Sequence, residues 1–163
     1  PYAVTEGVGA IGGAYFLFYA SVVFVSRLFV GRLQDRFGDN AVVYPLLLCL
    51  AGGLVVLWVG LDGALPFLSA ALMGFGFGAM MPTVQTIVVS IAGPQRVALA
   101  TTTFFFAADI GFGVGPIIDG MLVEAFGYQG MYLALAGVAL AGIVLYGSTH
   151  GRHARAIPRL PRP

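Results

Sequence analysis

Long apolar stretches, separated by short polar connections, are the dominant pattern of this sequence. Five apolar runs occupy about residues 9–30, 41–60, 66–91, 99–123 and 130–146. A stretch of about 18 or more apolar residues is long enough for an α-helix to cross the hydrocarbon core of a bilayer. Strands of a membrane barrel are about ten residues long and alternate in polarity, which these runs do not. The pattern predicts an all-α fold, a polytopic membrane helical bundle of about five transmembrane helices within residues 1–148.

The composition supports a protein whose main solvent is the lipid bilayer. Hydrophobic residues make up 59% of the chain and charged residues 9%, whereas soluble domains carry about 25% charged residues. The single cysteine, Cys49, lies inside an apolar run, and both histidines, His150 and His153, lie in a polar tail. These residues offer neither a disulfide framework nor metal-ligand spacing, so we expect no metal and no cofactor.

Patterns typical of catalysis or of nucleic-acid binding do not occur in the sequence. No nucleophile, base and acid are arranged as in an enzyme of the membrane interior, and no basic patch alternates with aromatic residues. The glycine-rich stretch around Gly76 lies inside an apolar span rather than after a strand, which argues against a dinucleotide-binding loop. We therefore expect neither an enzyme nor a nucleic-acid-binding protein.

The basic residues fall on one side of the predicted membrane. All eight are arginines: Arg27, Arg32, Arg36, Arg96, Arg152, Arg155, Arg159 and Arg162. With five spans they lie on the same side, and the opposite side carries Glu6, Asp62 and Glu124. Basic residues accumulate in cytoplasmic loops. We expect a plasma-membrane protein whose chain starts outside and ends in a basic cytoplasmic tail at residues 149–163.

The connection after the first span contains the most distinctive motif, Gly31-Arg32-Leu33-Gln34-Asp35-Arg36-Phe37-Gly38. Glycines at both ends allow a tight turn, and Asp35 and Arg36 can interact with helix termini. Contacts of this kind can hold one conformation and break in another, which predicts a gating loop. A charged turn that only fixes the topology is the alternative from these residues alone.

The spacing Gly31-x-Leu33-x-Asp35-Arg36-x-Gly38 resembles the loop signature of the major facilitator superfamily, which recurs once in each six-helix half. Two residues, Asp39 and Asn40, follow where the family usually has basic ones. The segment 15–20 resembles the family's eighth helix, and the segment 103–111 resembles the start of helix eleven in a drug-efflux-like branch. The resemblance covers nearly the whole chain and implies helices eight to twelve, a partial six-helix half.

A second register remains open, because Gly111-x-x-x-Gly115-Pro116-x-x-Asp119-Gly120 resembles the antiporter signature of the family's helix five. In that register the chain would be helices two to six, and span three would begin with an arginine-bearing motif. Span three has no arginine there, which favours helices eight to twelve. Gly111, Gly115, Pro116 and Gly120 are then the second-half counterparts of that signature and serve helix packing.

The resemblance implies a secondary transporter in which two six-helix halves rock about a central site. Proton-coupled efflux of a small organic molecule is the function it favours, with protons, the substrate and the lipid bilayer as partners. The chain starts at Pro1 and supplies five spans, so we expect a fragment of a transporter whose N-terminal half is missing. A non-transporting membrane scaffold or truncated remnant is the alternative.

Several polar residues within the spans are candidates for the transport site. Asp109 lies near the middle of span four, where an ionised acid costs about 2.5–3.5 kcal/mol and usually faces a bundle interior or water path. We expect it to carry the coupled proton, with a structural pairing as the alternative. Tyr15, Tyr19 and Gln85 are candidates for a substrate cavity, although such residues also occur on packing surfaces. Arg27 is expected to snorkel or to latch helices rather than to bind substrate.

Small residues spaced four apart mark two spans for close helix packing. Gly74 and Gly78 have this spacing in the third span, and Gly111 and Gly115 have it in the fourth. Glycines at this spacing let helix backbones approach closely in lipid. We therefore expect both pairs to face neighbouring helices.

Overall fold

The computed structural model describes residues 11–152 as helices joined by very short connections. The elements are α1 at Ile11–Phe37, α2 at Asp39–Val59, α3 at Leu65–Ala92, a 3-10 turn at Pro94–Arg96, α4 at Val97–Tyr146 and a π-helical turn at Gly147–Gly151. No strand occurs in this part of the chain. Four of its helices are long and apolar enough to cross a membrane. The predicted all-α, multi-pass membrane bundle is therefore confirmed.

Helix α4 consists of two segments. Its 50 residues would extend about 75 Å at 1.5 Å per residue, far more than the ~30 Å hydrocarbon core. The run is broken at Gly127, whose φ of 69° and ψ of 177° are not helical, and glycine adopts such a φ without steric cost. We name the part before the break α4a, residues 97–126, and the part after it α4b, residues 128–146. These segments match the fourth and fifth apolar runs.

Residues 31–37 of the motif are helical, so the prediction of a loop over the whole motif is wrong, and the gating role of its residues stays a prediction. Helix α1 continues through Phe37, and Gly31, Leu33, Asp35 and Arg36 all lie in its last two turns. Arginine, leucine and glutamine between the glycines are good helix formers, and nothing in these turns forces the backbone out of the helix.

Gly38 alone forms the connection between α1 and α2. Its φ of 96° and ψ of 166° leave the helical region, and its N–H donates to the Gln34 carbonyl at 3.0 Å. Asp39 begins α2 directly afterwards. The two helices are therefore joined by one glycine, and the charged residues of the motif project from a helix end rather than from a mobile loop.

The core lies on both sides of α2. On one side Val30, Val42, Leu46 and Ala79 bring together α1, α2 and α3. On the other side α2 packs against α4b through a second cluster, made of Ala51, Leu54, Ala136 and Ala139. Segment α4a contributes little to either cluster, because Ala100 is its one buried residue among those described.

Glycines on α3 allow the close packing predicted for that span. A Cβ on Gly74 would lie 3.0 Å from the Tyr19 carbonyl oxygen, and one on Gly78 would lie 2.6 Å from the Val23 side chain. Both glycines therefore face α1 at a distance that a larger side chain would not permit. The prediction for Gly74 and Gly78 is confirmed.

The corresponding glycines of α4a have no such neighbours. A Cβ on Gly111, Gly115 or Gly120 would meet nothing within 4 Å among the described residues. Pro116 lies between them and is exposed. No described helix packs against this face of α4a. The packing role of these residues therefore stays a prediction.

The final helical turn extends the bundle beyond the predicted boundary at residue 148. Gly151 is buried, and its carbonyl accepts a hydrogen bond of 2.8 Å from the Asn40 amide. The first residues of the predicted basic tail are therefore attached to the start of α2. Residues 153–163 of that tail, and the first residues of span one, lie outside the described part of the chain.

Candidate functional site

A cavity of about 460 Å³ lies between α1, α3 and α4a. Its polar lining comes from Arg27 and Gln34 on α1 and from Thr83, Gln85 and Thr86 on α3. Apolar residues complete the wall, among them Val30, Met81 and Phe105. Ligand pockets commonly combine an apolar lining with a few converging polar groups in a volume of about 300–1,000 Å³. The cavity therefore has the size and character of a site for a small amphipathic molecule.

Arg27 brings a positive charge to this cavity. It lies ten residues before the end of α1, about 15 Å along the helix axis, and its Nε donates to the Gly78 carbonyl oxygen on α3 at 3.3 Å. Within residues 11–152 no carboxylate lies within ion-pair distance of its guanidinium. The helix-latching contact that we expect of Arg27 is present, and the charge itself is not paired in this part of the chain.

Gln34, two turns after Arg27 on α1, connects α1 with α2 and α3. Its Nε2 donates to the Asp39 Oδ1 at 3.0 Å and to the Thr83 carbonyl oxygen at 3.3 Å. Its side chain is buried, with 5% of its surface exposed. Gln34 occupies a variable position of the motif, so the sequence pattern gave no reason to select it. Its contacts hold the end of α1 against α2 and α3.

Thr83 has the one buried side-chain polar atom without a hydrogen-bond partner in the described chain, its Oγ1. The residue is 2% exposed and lines the cavity. Thr86, one turn later, instead donates its hydroxyl to the Pro82 carbonyl at 2.9 Å, as threonines in helices often do. An unpaired buried hydroxyl is unusual and calls for an explanation.

The three predicted cavity residues have different positions. Gln85 lines the cavity. Tyr15 lies away from it, because its hydroxyl is 3.4 Å from the Ser69 Oγ and 3.7 Å from the Met73 sulfur. Tyr19 is half-buried on α1 and is not part of the lining. The structure therefore places Gln85 with Arg27 and Thr83 in the lining of the cavity, and neither tyrosine is part of that lining.

Asp109 is exposed on α4a, one helical turn after the cavity residue Phe105. It lies twelve residues from the start of α4, about 18 Å along the axis, and forms no ion pair within residues 11–152. It does not line the cavity. The acid and the cavity are thus neighbours along α4a without direct contact between them.

The motif end of the bundle carries a second polar network. Asn40 accepts a hydrogen bond from the Tyr146 hydroxyl at 2.8 Å and donates to the Gly151 carbonyl at 2.8 Å. The His150 Nε2 lies 3.3 Å from the Asp39 Oδ2, and the rings of Tyr44 and Tyr146 pack edge to face at 5.3 Å. This network fastens the end of α4b to the start of α2. Asp39 and Asn40, which depart from the motif's usual basic residues, are its centre.

Replacing Asn40 by alanine should destabilise this end of the bundle by about 1–2 kcal/mol, because two hydrogen-bonding groups lose their partner. Tyr146→Phe removes one of the two bonds and keeps the ring packing, so about half of that loss is expected. Thermal unfolding of the full-length protein in detergent measures both. The control is Gln129→Ala, an exposed position, with an expected change within about 0.5 kcal/mol. Equal stability of all three variants would contradict the role of the network.

Comparison with known proteins places this bundle among transporters. The sequence profile of the Major Facilitator Superfamily matches residues 3–161. An uncharacterized MFS-type transporter of Salmonella typhimurium (strain LT2) is 30% identical over 116 residues, which cover 71% of this chain and 30% of that protein. Uncharacterized MFS-type transporters of Burkholderia mallei (strain SAVP1) and Burkholderia pseudomallei (strain K96243) are each 30% identical over 128 residues, 78% of this chain and 31% of theirs. The chain therefore spans under a third of these relatives, and no solved structure gives a significant match.

Proposed function

Since the chain belongs to the Major Facilitator Superfamily, we propose that it is part of a secondary transporter that exports a small organic molecule in exchange for protons. Members of such transporter folds alternate access by moving one helical repeat against another around a site near the membrane centre. A cavity between α1, α3 and α4a is the place in this chain where a substrate would bind. The drug-efflux-like resemblance of α4a supports export as the direction.

The observation that carries the proton coupling is Asp109, an acid without an ion-pair partner in residues 11–152 on a helix of strongly apolar composition. An acid at this depth cannot face lipid cheaply, and it normally faces a bundle interior or a water path. Asp109 is exposed in this chain, so further helices or water must surround it in the working transporter. A carboxyl group in such a place can bind a proton in one conformation and release it in another.

The helices that would surround Asp109 are the second part of this proposal. The matched relatives are about three times as long as the matched region, so a complete transporter has room for an opposing helical half. That half would cover the open face of α4a, including Gly111 and Gly115, and would complete the cavity. Five spans by themselves form one wall of a transport path, and alternating access requires a second helical half against which they can move.

The first experiment is proton-driven efflux in inverted membrane vesicles that contain the full-length protein. Lipophilic cations and small organic acids serve as the substrate panel. We expect Asp109→Asn to abolish the dependence of efflux on the proton gradient, because the amide cannot take up and release a proton. Asp119→Asn, ten residues later on the same helix, is the matched control and should keep that dependence.

Two results would contradict the proposal. Proton dependence that is unchanged in Asp109→Asn would show that Asp109 is structural and that another group carries the proton. An absence of flux of any panel compound in the parent protein would favour a non-transporting scaffold instead. Insertion and folding of each variant are checked by its yield and its thermal unfolding in detergent.

A further inference from the structure

We propose that the cavity between α1, α3 and α4a binds the anionic group of a small amphipathic organic acid, with Arg27 as its counter-ion and Thr83 and Gln85 as its hydrogen-bond partners. This inference deepens the proposed function, on which it rests, because it names the substrate class of the same cavity. The sequence favours a snorkelling or helix-latching role for Arg27 over substrate binding; the bond to Gly78 is such a latch, and the inference adds substrate binding to it.

The state of the Arg27 guanidinium is the first argument. A guanidinium has five N–H donors, and the one hydrogen bond that this side chain makes within residues 11–152 uses Nε on the Gly78 carbonyl. That bond directs the side chain towards α3. Snorkelling would instead require the side chain to extend along α1 towards the membrane surface. Since Arg27 also lines the cavity, its remaining donors are available there to a planar, doubly accepting anion such as a carboxylate.

The Thr83 hydroxyl is the second and independent argument. It is buried and has no partner in the described chain, whereas Thr86 and Thr102 on the same kind of apolar helix donate to carbonyls one turn back. Its oxygen is buried in this state, so donation to a ligand oxygen requires the side chain to turn about χ1 towards the cavity, and no local hydrogen bond holds it back. Gln85, two residues further along α3, adds an amide donor to the same lining.

The charge balance and the walls of the cavity decide the chemical class. Among residues 11–152 no aspartate or glutamate belongs to the lining, so Arg27 is the one charged member that this part of the chain supplies. Val30, Met81 and Phe105 supply an apolar wall that suits a hydrocarbon or aromatic body, and methionine adapts its shape to varied ligands. A lipophilic cation would meet repulsion from Arg27, whereas an organic anion would neutralise a charge that is expensive inside a membrane.

Equilibrium binding to the purified full-length protein in detergent tests this assignment. The probes are radiolabelled benzoate and phenyl phosphate, with neutral benzamide and cationic benzylamine as competitors of similar size. We expect the anions to bind and neither competitor to displace them. Arg27→Gln should weaken anion binding by about 10- to 100-fold, and Thr83→Val should weaken it by about 3- to 10-fold. Arg27→Lys, which keeps the charge without the planar fork, should lie between the parent and Arg27→Gln.

Matched controls separate loss of the site from loss of the fold. Arg96→Gln removes an arginine from the 3-10 turn, and Thr102→Val removes a hydroxyl that bonds the Ala98 carbonyl. Both should bind the anions as the parent does. Thermal unfolding is recorded for every variant, and if Arg27→Gln does not fold, Arg27→Lys and Thr83→Val decide the question.

The possible outcomes distinguish this inference from the transport function. Binding of benzylamine in preference to the anions, equal anion binding by the parent and the Arg27 variants, or no anion binding at all would each overturn the anion site. Proton-driven efflux of lipophilic cations together with no anion binding would overturn the anion site and leave the transport function standing. Anion binding that depends on Arg27, in a protein without proton-driven flux, would support the site and overturn the transport function.

Discussion

Replacement of Gly76 by valine should destabilise the bundle by about 3 kcal/mol, the upper part of the range for overpacked cores. A Cβ at this position would lie 2.6 Å from the Leu50 backbone nitrogen and 2.7 Å from the Leu46 carbonyl oxygen. Both are backbone atoms of α2 and cannot rotate away as a side chain could. The two helices would have to separate, which would loosen the cluster of Val42, Leu46 and Ala79.

Thermal or denaturant unfolding of the full-length protein in detergent measures the effect of Gly76→Val. Gly113→Val is the matched control, because that glycine also lies within an apolar helix and a Cβ there meets nothing within 4 Å in the described chain. We expect the control to unfold close to the parent. Equal losses in both variants would contradict the role of the contact between α3 and α2, because valine is a better helix former than glycine and its helix preference cannot explain a loss.

Replacement of Gly38 by alanine should cost about 1–3 kcal/mol, the range for a residue held in a conformation that side chains avoid. Its φ of 96° and ψ of 166° belong to glycine almost alone. Because Gly38 is the whole connection between α1 and α2, relief of the strain would shift one helix against the other. The contacts of Gln34 with Asp39 and Thr83 would then be weakened.

The matched control for Gly38→Ala is Gly31→Ala in the same motif. Gly31 is helical and has free space for a Cβ, so alanine there should be neutral or should stabilise by about 0.5–1 kcal/mol. Unfolding in detergent should separate the two variants. A larger loss at Gly31 than at Gly38 would restore the prediction of a loop with a glycine turn at each end.

The two glycines also mark how far the sequence could predict the fold. The apolar runs fixed the helices well, because the thickness of the bilayer demands about 20 apolar residues whatever the tertiary structure is. The end of α1 was missed, since Gly31 and Gly38 carry the same local signal and only the backbone conformation distinguishes them. The break at Gly127 fell inside the predicted connection between the fourth and fifth apolar runs, and glycine in a short connection commonly marks a helix end.

The candidate site was predictable only in part. Gln85 was chosen as a polar group within an apolar span that could line a substrate cavity, and it does line the cavity. Tyr15 was chosen as a second candidate for the lining of that cavity, but its hydroxyl lies beside Ser69 and Met73. A sequence reveals that a polar group needs a partner and not which helix supplies it. The unpaired states of Arg27 and Thr83 are properties of the assembled bundle, so no sequence pattern could have indicated them.

The network at Asn40 has a consequence for the timing of biosynthesis. Its partner Gly151 lies 111 residues later in the chain, and a ribosome adds about 5–20 residues per second, so about 6–22 s separate the synthesis of the two. During that interval the Asn40 amide lacks the partner that Gly151 supplies in the folded bundle. The hydrogen bonds of Asn40 at the start of α2 therefore form only after the last helix has been made, when every span between them has entered the membrane.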